Sequence, residues 1–127
     1  MEVKRLFDLL DRLKELYPKD DILCRKYSGK WIKYSTDDYY QKSHTLAYAF
    51  LALGFKPMTN VITVCNNRPE WNFIDMGLSL AHMIHIPVYT TLSTEDYSYI
   101  FKQSEAHVII VGGDQGDKKI HPNLNKM

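Results

Sequence analysis

Val61-Ile62-Thr63-Val64-Cys65, followed by Asn66-Asn67-Arg68-Pro69-Glu70-Trp71, decides the fold of this 127-residue chain. The first five residues are an apolar, β-branched run, as expected of a strand buried on both faces. Three polar residues then break the run, and Pro69 is well placed to open a helix. Strand, polar turn, helix is the repeating unit of a parallel sheet.

Working outward, the same unit recurs. A helix is expected from Pro69 to about Met83, a second strand over Ile86–Tyr89, a helix capped by Ser93 with Asp96 three residues on, and a third strand at Val108-Ile109-Ile110-Val111. Upstream, Leu6, Leu9, Leu10, Leu13 and Leu16 fall at helical spacing up to Pro18. Ile22–Tyr27 and Lys30–Tyr34 flank Ser28-Gly29, a two-residue hairpin signal. Ser35 and Asp38 approximate a capping box for a helix whose inner face is read as Tyr39, Ser43, Leu46, Ala47, Phe50 and Leu53, ending at Gly54. The fold class is therefore α/β: a small parallel sheet of βα units covered by helices, preceded by an N-terminal helix and a β-hairpin. After Gly112-Gly113 the periodicity fades, and 114–127 reads as a loop and tail. A parallel sheet stopping at a third strand keeps an open edge. That edge is expected to be covered by the remainder of a longer chain or by a second copy in a homodimer.

Composition narrows the function. Hydrophobic residues make up 45% and charged residues 24%, with a formal net charge of +1. That balance suits a globular domain and gives no reason to expect a nucleic-acid partner. The basic residues look scattered along the chain, and Lys118-Lys119 is too short for a polybasic patch. The N-terminus runs into an amphipathic pattern rather than a signal peptide, and the charge-poor stretch Met76–Thr94 contains Pro87, two histidines and many hydroxyls, so no transmembrane segment is expected. Cys24 and Cys65 form no CxxC pair and read as free buried thiols in a cytoplasmic protein.

Ligands of open α/β sheets bind at the carboxyl ends of strands. Three loops qualify: Asn66–Arg68, Tyr89–Ser93 and Gly112–Gly116. Asn66, Asn67 and Arg68 before a helix start offer amides, a guanidinium and a helix N-terminus to an anion. The ordinary use of such residues is a capped helix start, with Asn67 or a neighbour as cap and Glu70 complementing the dipole. Tyr89-Thr90-Thr91 presents three hydroxyls, which more commonly serve turns and caps than ligands. Gly112-Gly113-Asp114-Gln115-Gly116-Asp117 is neither a Walker loop nor an EF-hand. His82 and His85 lack a third ligand, so no metal site is expected. Gly77-Leu78-Ser79-Leu80-Ala81 lies inside a helix and is not a nucleophile elbow. On residues alone this is an α/β unit without a self-contained active site.

From Trp31 to about Gly113 the chain resembles the N-terminal part of AMP-forming acyl-CoA synthetases, the long-chain fatty acid–CoA ligases above all. The resemblance rests on Trp31-Ile32-Lys33-Tyr34-Ser35, Leu46-Ala47 through Leu53-Gly54, Asn66-Asn67-Arg68-Pro69-Glu70-Trp71, Pro87-Val88-Tyr89 with Thr91, Tyr99-Ile100-Phe101 and Ser104-Glu105-Ala106. It implies a parent enzyme that uses ATP and Mg²⁺ to make an acyl-adenylate from a fatty acid, which the thiol of CoA then converts to a thioester. The family's phosphate loop, adenine and Mg²⁺ motif, ribose-binding Asp and late catalytic Lys are not found here. The resemblance therefore implies that residues 1–113 form an N-terminal subdomain, that 114–127 are a loop or a truncation, and that this chain binds no cofactor and catalyses nothing alone. It also implies that Tyr89, Thr90, Thr91, Lys118 and Lys119 border the CoA channel, while Asn67, Arg68, Pro69, Glu70 and Trp71 are a structural signature. Two departures stand out: Met58-Thr59 where the family usually has Gly-Asp, and His82-Met83 where it usually has Gly-Ala. Two competing readings stay open, a non-catalytic α/β interaction module and an adenylating enzyme for a different carboxylic acid.

Overall fold

A computed structural model describes residues 2–113, so the expectations for 114–127, including Lys118 and Lys119, lie outside the described residues. The elements run α1 (Asp8–Leu16), β1 (Leu23–Tyr27), β2 (Lys30–Tyr34), α2 (Thr36–Ala52), β3 (Asn60–Val64), α3 (Pro69–Leu80), β4 (Ile84–Val88), α4 (Thr94–Gln103) and β5 (Val108–Val111). They fall into two compact units, Met1–Lys56 with Arg68–His82, and Pro57–Asn67 with Met83–Met127. Among the described residues no helix is long and apolar enough to cross a membrane.

The first unit holds α1, the hairpin, α2 and α3. β1 and β2 pair antiparallel in the register Leu23↔Tyr34 to Tyr27↔Lys30. Ser28 and Gly29 both take positive φ, 49° and 77°, as a tight primed turn requires. The Ser35–Asp38 capping box forms in both directions. Ser43, Ala47 and Phe50 of α2 are buried as expected, but Leu53 is 69% exposed. It is the C-cap, already leaving the helical face, with Gly54 turning the chain at φ 82°. α3 packs on α2 through Gly77. A Cβ at Gly77 would lie 3.0 Å from Leu46 Cβ and 3.0 Å from the Ser43 carbonyl oxygen. The two small α2 residues Ser43 and Ala47 are what let the backbones approach so closely.

Asp8 opens α1 and is held by the Arg5 guanidinium (Nη2 to Oδ1, 2.8 Å) and by the backbone N–H groups of Arg5 and Lys4. Chiefly through the Arg5 side-chain hydrogen bond, its pKa falls from the usual 3.8 to about 2. A depressed carboxylate stabilises the fold above its unfolded pKa and loses that contribution as pH falls through the folded one. Asp8→Asn should therefore flatten the acid limb of the stability curve between 3.8 and about 2. Urea midpoints measured across that window test this.

The second unit is the parallel sheet, in the order β4-β3-β5, with α4. One face carries Ile62, Val64, Ile86, Val88, Ile109 and Val111, aligned by register and packed with Tyr97 and Phe101 of α4. β3 is central and fully buried beyond its first residue, whereas β4 and β5 are half-buried flanks. β4 starts at Ile84 rather than Ile86, because the Ile84 N–H bonds the Thr59 carbonyl and begins the ladder two residues early. Correspondingly α3 stops at Leu80, and His82 takes φ 59°. The cysteines also differ from expectation: Cys24 is exposed and Cys65 half-buried.

Both departures from the family's glycines sit in the left-handed region, Met58 at φ 66° and His82 at φ 59°. A side chain there is strained. Met58 is 69% exposed, so little packing offsets that strain. Met58→Gly is expected to raise stability by about 0.5–1 kcal/mol, read from the urea midpoint at unchanged m-value.

Candidate functional site

Three parallel strands that end level place their loops along one edge. Val64 pairs with Val88 on one side and with Val111 on the other. The segments beginning at Cys65, Tyr89 and Gly112 therefore emerge side by side, with the β3 loop in the middle. Numbered by their own order in the sheet, the strands run 2-1-3, which puts the switch point of an open α/β sheet between β3 and β5. The Gly112 N–H donates to the Val64 carbonyl at 2.9 Å and closes that corner.

The loop after β4 is built firmly. Tyr97, fully buried on α4, donates its hydroxyl to the Tyr89 carbonyl at 2.7 Å. Burial raises the Tyr97 phenol above its ordinary pKa, which keeps it a neutral donor. Leu92 packs against the core, and Ser93 and Asp96 cap α4 reciprocally. The anchored backbone then presents a Tyr89 side chain that is 81% exposed, with Thr90 half-buried and Thr91 exposed. Tyr97 was not singled out in the sequence. Its signal would have been a tyrosine on the apolar stripe of a capped helix, where a buried hydroxyl needs an acceptor.

The segment after β3 divides. Asn66 and Asn67 are exposed. Arg68, not Asn67, is the N-cap of α3, and no side chain caps that end; Pro69 occupies the first turn and is buried. Arg68 does not wait for an anion. Its Nε donates to Glu70 Oε2 at 3.2 Å, and Glu70 Oε1 lies 3.8 Å from Nη1 of Arg25 on β1. This network ties the hairpin to the start of α3, and Tyr34 and Tyr39 meet Phe73 of the same helix edge-on and tilted. Trp71 is half-buried. His85 shares a 2.7 Å hydrogen bond with Thr63 Oγ1, and His82 meets the Phe7 ring edge-on.

A triphosphate with its Mg²⁺ needs backbone N–H groups, a lysine and carboxylate oxygens converging on one point. Among the described residues no three His, Cys, Asp or Glu side chains come together. The described strand-end loops, 66–68, 89–93 and 112–113, contain no lysine or carboxylate, and Arg68 among them is engaged by Glu70. They do not fit that group.

Comparison with known proteins gives the family. The AMP-binding enzyme family matches residues 11–127. A long-chain-fatty-acid–CoA ligase of Homo sapiens (ACSBG1) is 34% identical over 119 residues, covering 93% of this chain and 16% of that protein. One from Gallus gallus (ACSBG2) is 32% identical over 89 residues, covering 70% and 12%. The chain thus spans less than a fifth of the length of these relatives. Among solved structures, a benzoate CoA ligase from Burkholderia xenovorans LB400 has the same fold over 98% of this chain and 24% of its own, with a TM-score of 0.80 at 17% identity. A fatty acid AMP ligase from Legionella pneumophila does so over 92% and 21%, with a TM-score of 0.77 at 16% identity. By the sequence match over residues 11–127, this chain belongs to the AMP-binding enzyme family.

Proposed function

We propose that this chain is the N-terminal part of a cytoplasmic long-chain fatty acid–CoA ligase, in which residues 1–113 form a subdomain that scaffolds one wall of the acyl and CoA channels. The observation that carries the reading is the family match over residues 11–127, joined to 34% identity with a long-chain ligase over 119 residues. The whole enzyme would convert ATP, a fatty acid and CoA to acyl-CoA, AMP and pyrophosphate, with Mg²⁺ neutralising phosphate charge. The residues that hold ATP and Mg²⁺ belong to the remainder of the parent chain, which also covers the open sheet edges. The poor fit of the described strand-end loops to a triphosphate supports that division. Asn67, Arg68, Pro69, Glu70 and Trp71 then serve architecture, as the Arg68–Glu70–Arg25 network suggests.

The direct test is ATP–pyrophosphate exchange with the 127-residue chain and a long-chain fatty acid. No exchange above background is expected, and exchange by this chain alone would overturn the reading. Tyr89, Thr90, Thr91, Lys118 and Lys119 are assigned to the CoA entrance, with the lysines near phosphate. Reversing both lysines to glutamate in the full-length enzyme should raise KM for CoA roughly tenfold and leave KM for ATP alone. An unchanged KM for CoA would remove the lysines from the site.

A further inference from the structure

The β1–β2 hairpin sorts its charged residues by end. Pairing puts Leu23, Arg25, Ile32 and Tyr34 on one side, where Arg25 meets Glu70 and Tyr34 meets Phe73. The other side carries Cys24, Lys26, Trp31 and Lys33, all exposed. Tyr27 and Lys30, the last pair before the turn, stand on the Leu23 side by alternation, and both are exposed. Trp31 is 64% and Tyr27 60% exposed, large values for aromatic side chains in a strand and turn. Lys26 Nζ stands 5.9 Å from the Trp31 ring. From Leu23 to Tyr34 there is no carboxylate. The acidic residues Asp20, Asp21, Asp37 and Asp38 all cluster in sequence at the opposite end, just before β1 and just after β2, where Asp37 pairs with Lys14 and Asp38 is spent in its capping box. Strand pairing sets Lys26 and Lys33 on one side of the ribbon with Trp31.

We propose that this hairpin, turn first, docks on an anionic lipid surface. Lys26 and Lys33 beside Trp31 on one side, with Lys30 and Tyr27 on the other side next to the turn, suit the headgroup boundary when the hairpin approaches end-on, where amphipathic rings lie among the headgroups and cations meet anionic lipid. The acidic base orients the approach by turning away from the same surface. A nucleic acid is the weaker match, because one short two-stranded ribbon offers three cations and the chain as a whole is nearly neutral. The proposal does not depend on the ligase reading, since binding needs neither ATP nor CoA.

The test is co-sedimentation of the 127-residue chain with phosphatidylcholine vesicles containing about 30% phosphatidylserine, at about 0.1 M salt. Binding is expected there, absent from pure phosphatidylcholine, and weakened by added salt. The triple variant K26E/K30E/K33E should lower the partition coefficient by roughly a hundredfold, and Trp31→Ala by roughly tenfold. A charge-matched control, R12E/K19E/K102E, should retain more of the binding than the hairpin variant. All of these positions are exposed, and far-ultraviolet circular dichroism checks that each variant is folded. Three results would overturn the proposal: no binding to the anionic vesicles, equal loss in hairpin and control variants, or capture by a DNA oligonucleotide while vesicles stay bare.

Discussion

Gly77→Val is expected to destabilise the first unit by about 3 kcal/mol. The reason is geometric. Even a methyl group at Gly77 would stand 3.0 Å from a carbonyl oxygen of α2, and that neighbour is backbone, which cannot rotate away. Gly77→Ala gains helix propensity while meeting the same contact, so its net cost should be smaller, about 1 kcal/mol. Ser43 lies across the interface, and its buried Oγ has no hydrogen-bond partner among the described residues. Ser43→Ala is therefore expected to be neutral or mildly stabilising, a control that keeps the interface intact. Urea denaturation followed by circular dichroism would order the three variants. A valine variant with the wild-type midpoint would mean that α2 and α3 can separate without loss.

The second large effect centres on Tyr97. Truncation to alanine empties the middle of the second unit's core and should cost about 3–5 kcal/mol. Tyr97→Phe keeps the ring and removes only the hydrogen bond to the Tyr89 carbonyl, for about 1 kcal/mol. The phenylalanine variant is the functionally informative one. If the Tyr89–Thr91 loop borders the CoA entrance, loosening it in the full-length enzyme should raise KM for CoA several-fold with kcat nearly unchanged. An unaltered KM for CoA together with the stability loss would leave Tyr97 a purely structural residue.

The fold was legible wherever a local pattern coincided with its physical cause. The β-branched run Val61–Cys65, the Ser-Gly turn and the two Ser–Asp capping boxes each carry their own explanation, and each forms where expected. Boundaries were harder where tertiary bonding decides. β4 begins at Ile84 because of a bond to Thr59, 25 residues away, which no local pattern shows. Gly77 could be dismissed as a nucleophile elbow from sequence, yet its role as a contact point needs a partner helix to be seen. For Arg68 the sequence favours a helix-start role over an anion site, but its partners, Glu70 and through it Arg25, become visible only once the hairpin is placed. The grouping of Lys26 and Lys33 with Trp31 on one side of that hairpin likewise needs the strand register to be seen.

The claim that this chain is one part of a fatty acid–CoA ligase is tested most directly by the transcript downstream of the Met127 codon. The account predicts an open reading frame that enters, within about a hundred residues (a typical domain length), a Ser/Thr/Gly-rich loop ending in Lys-Gly. A stop codon directly after Met127 in every mature transcript would contradict it, and would leave a freestanding α/β module in its place.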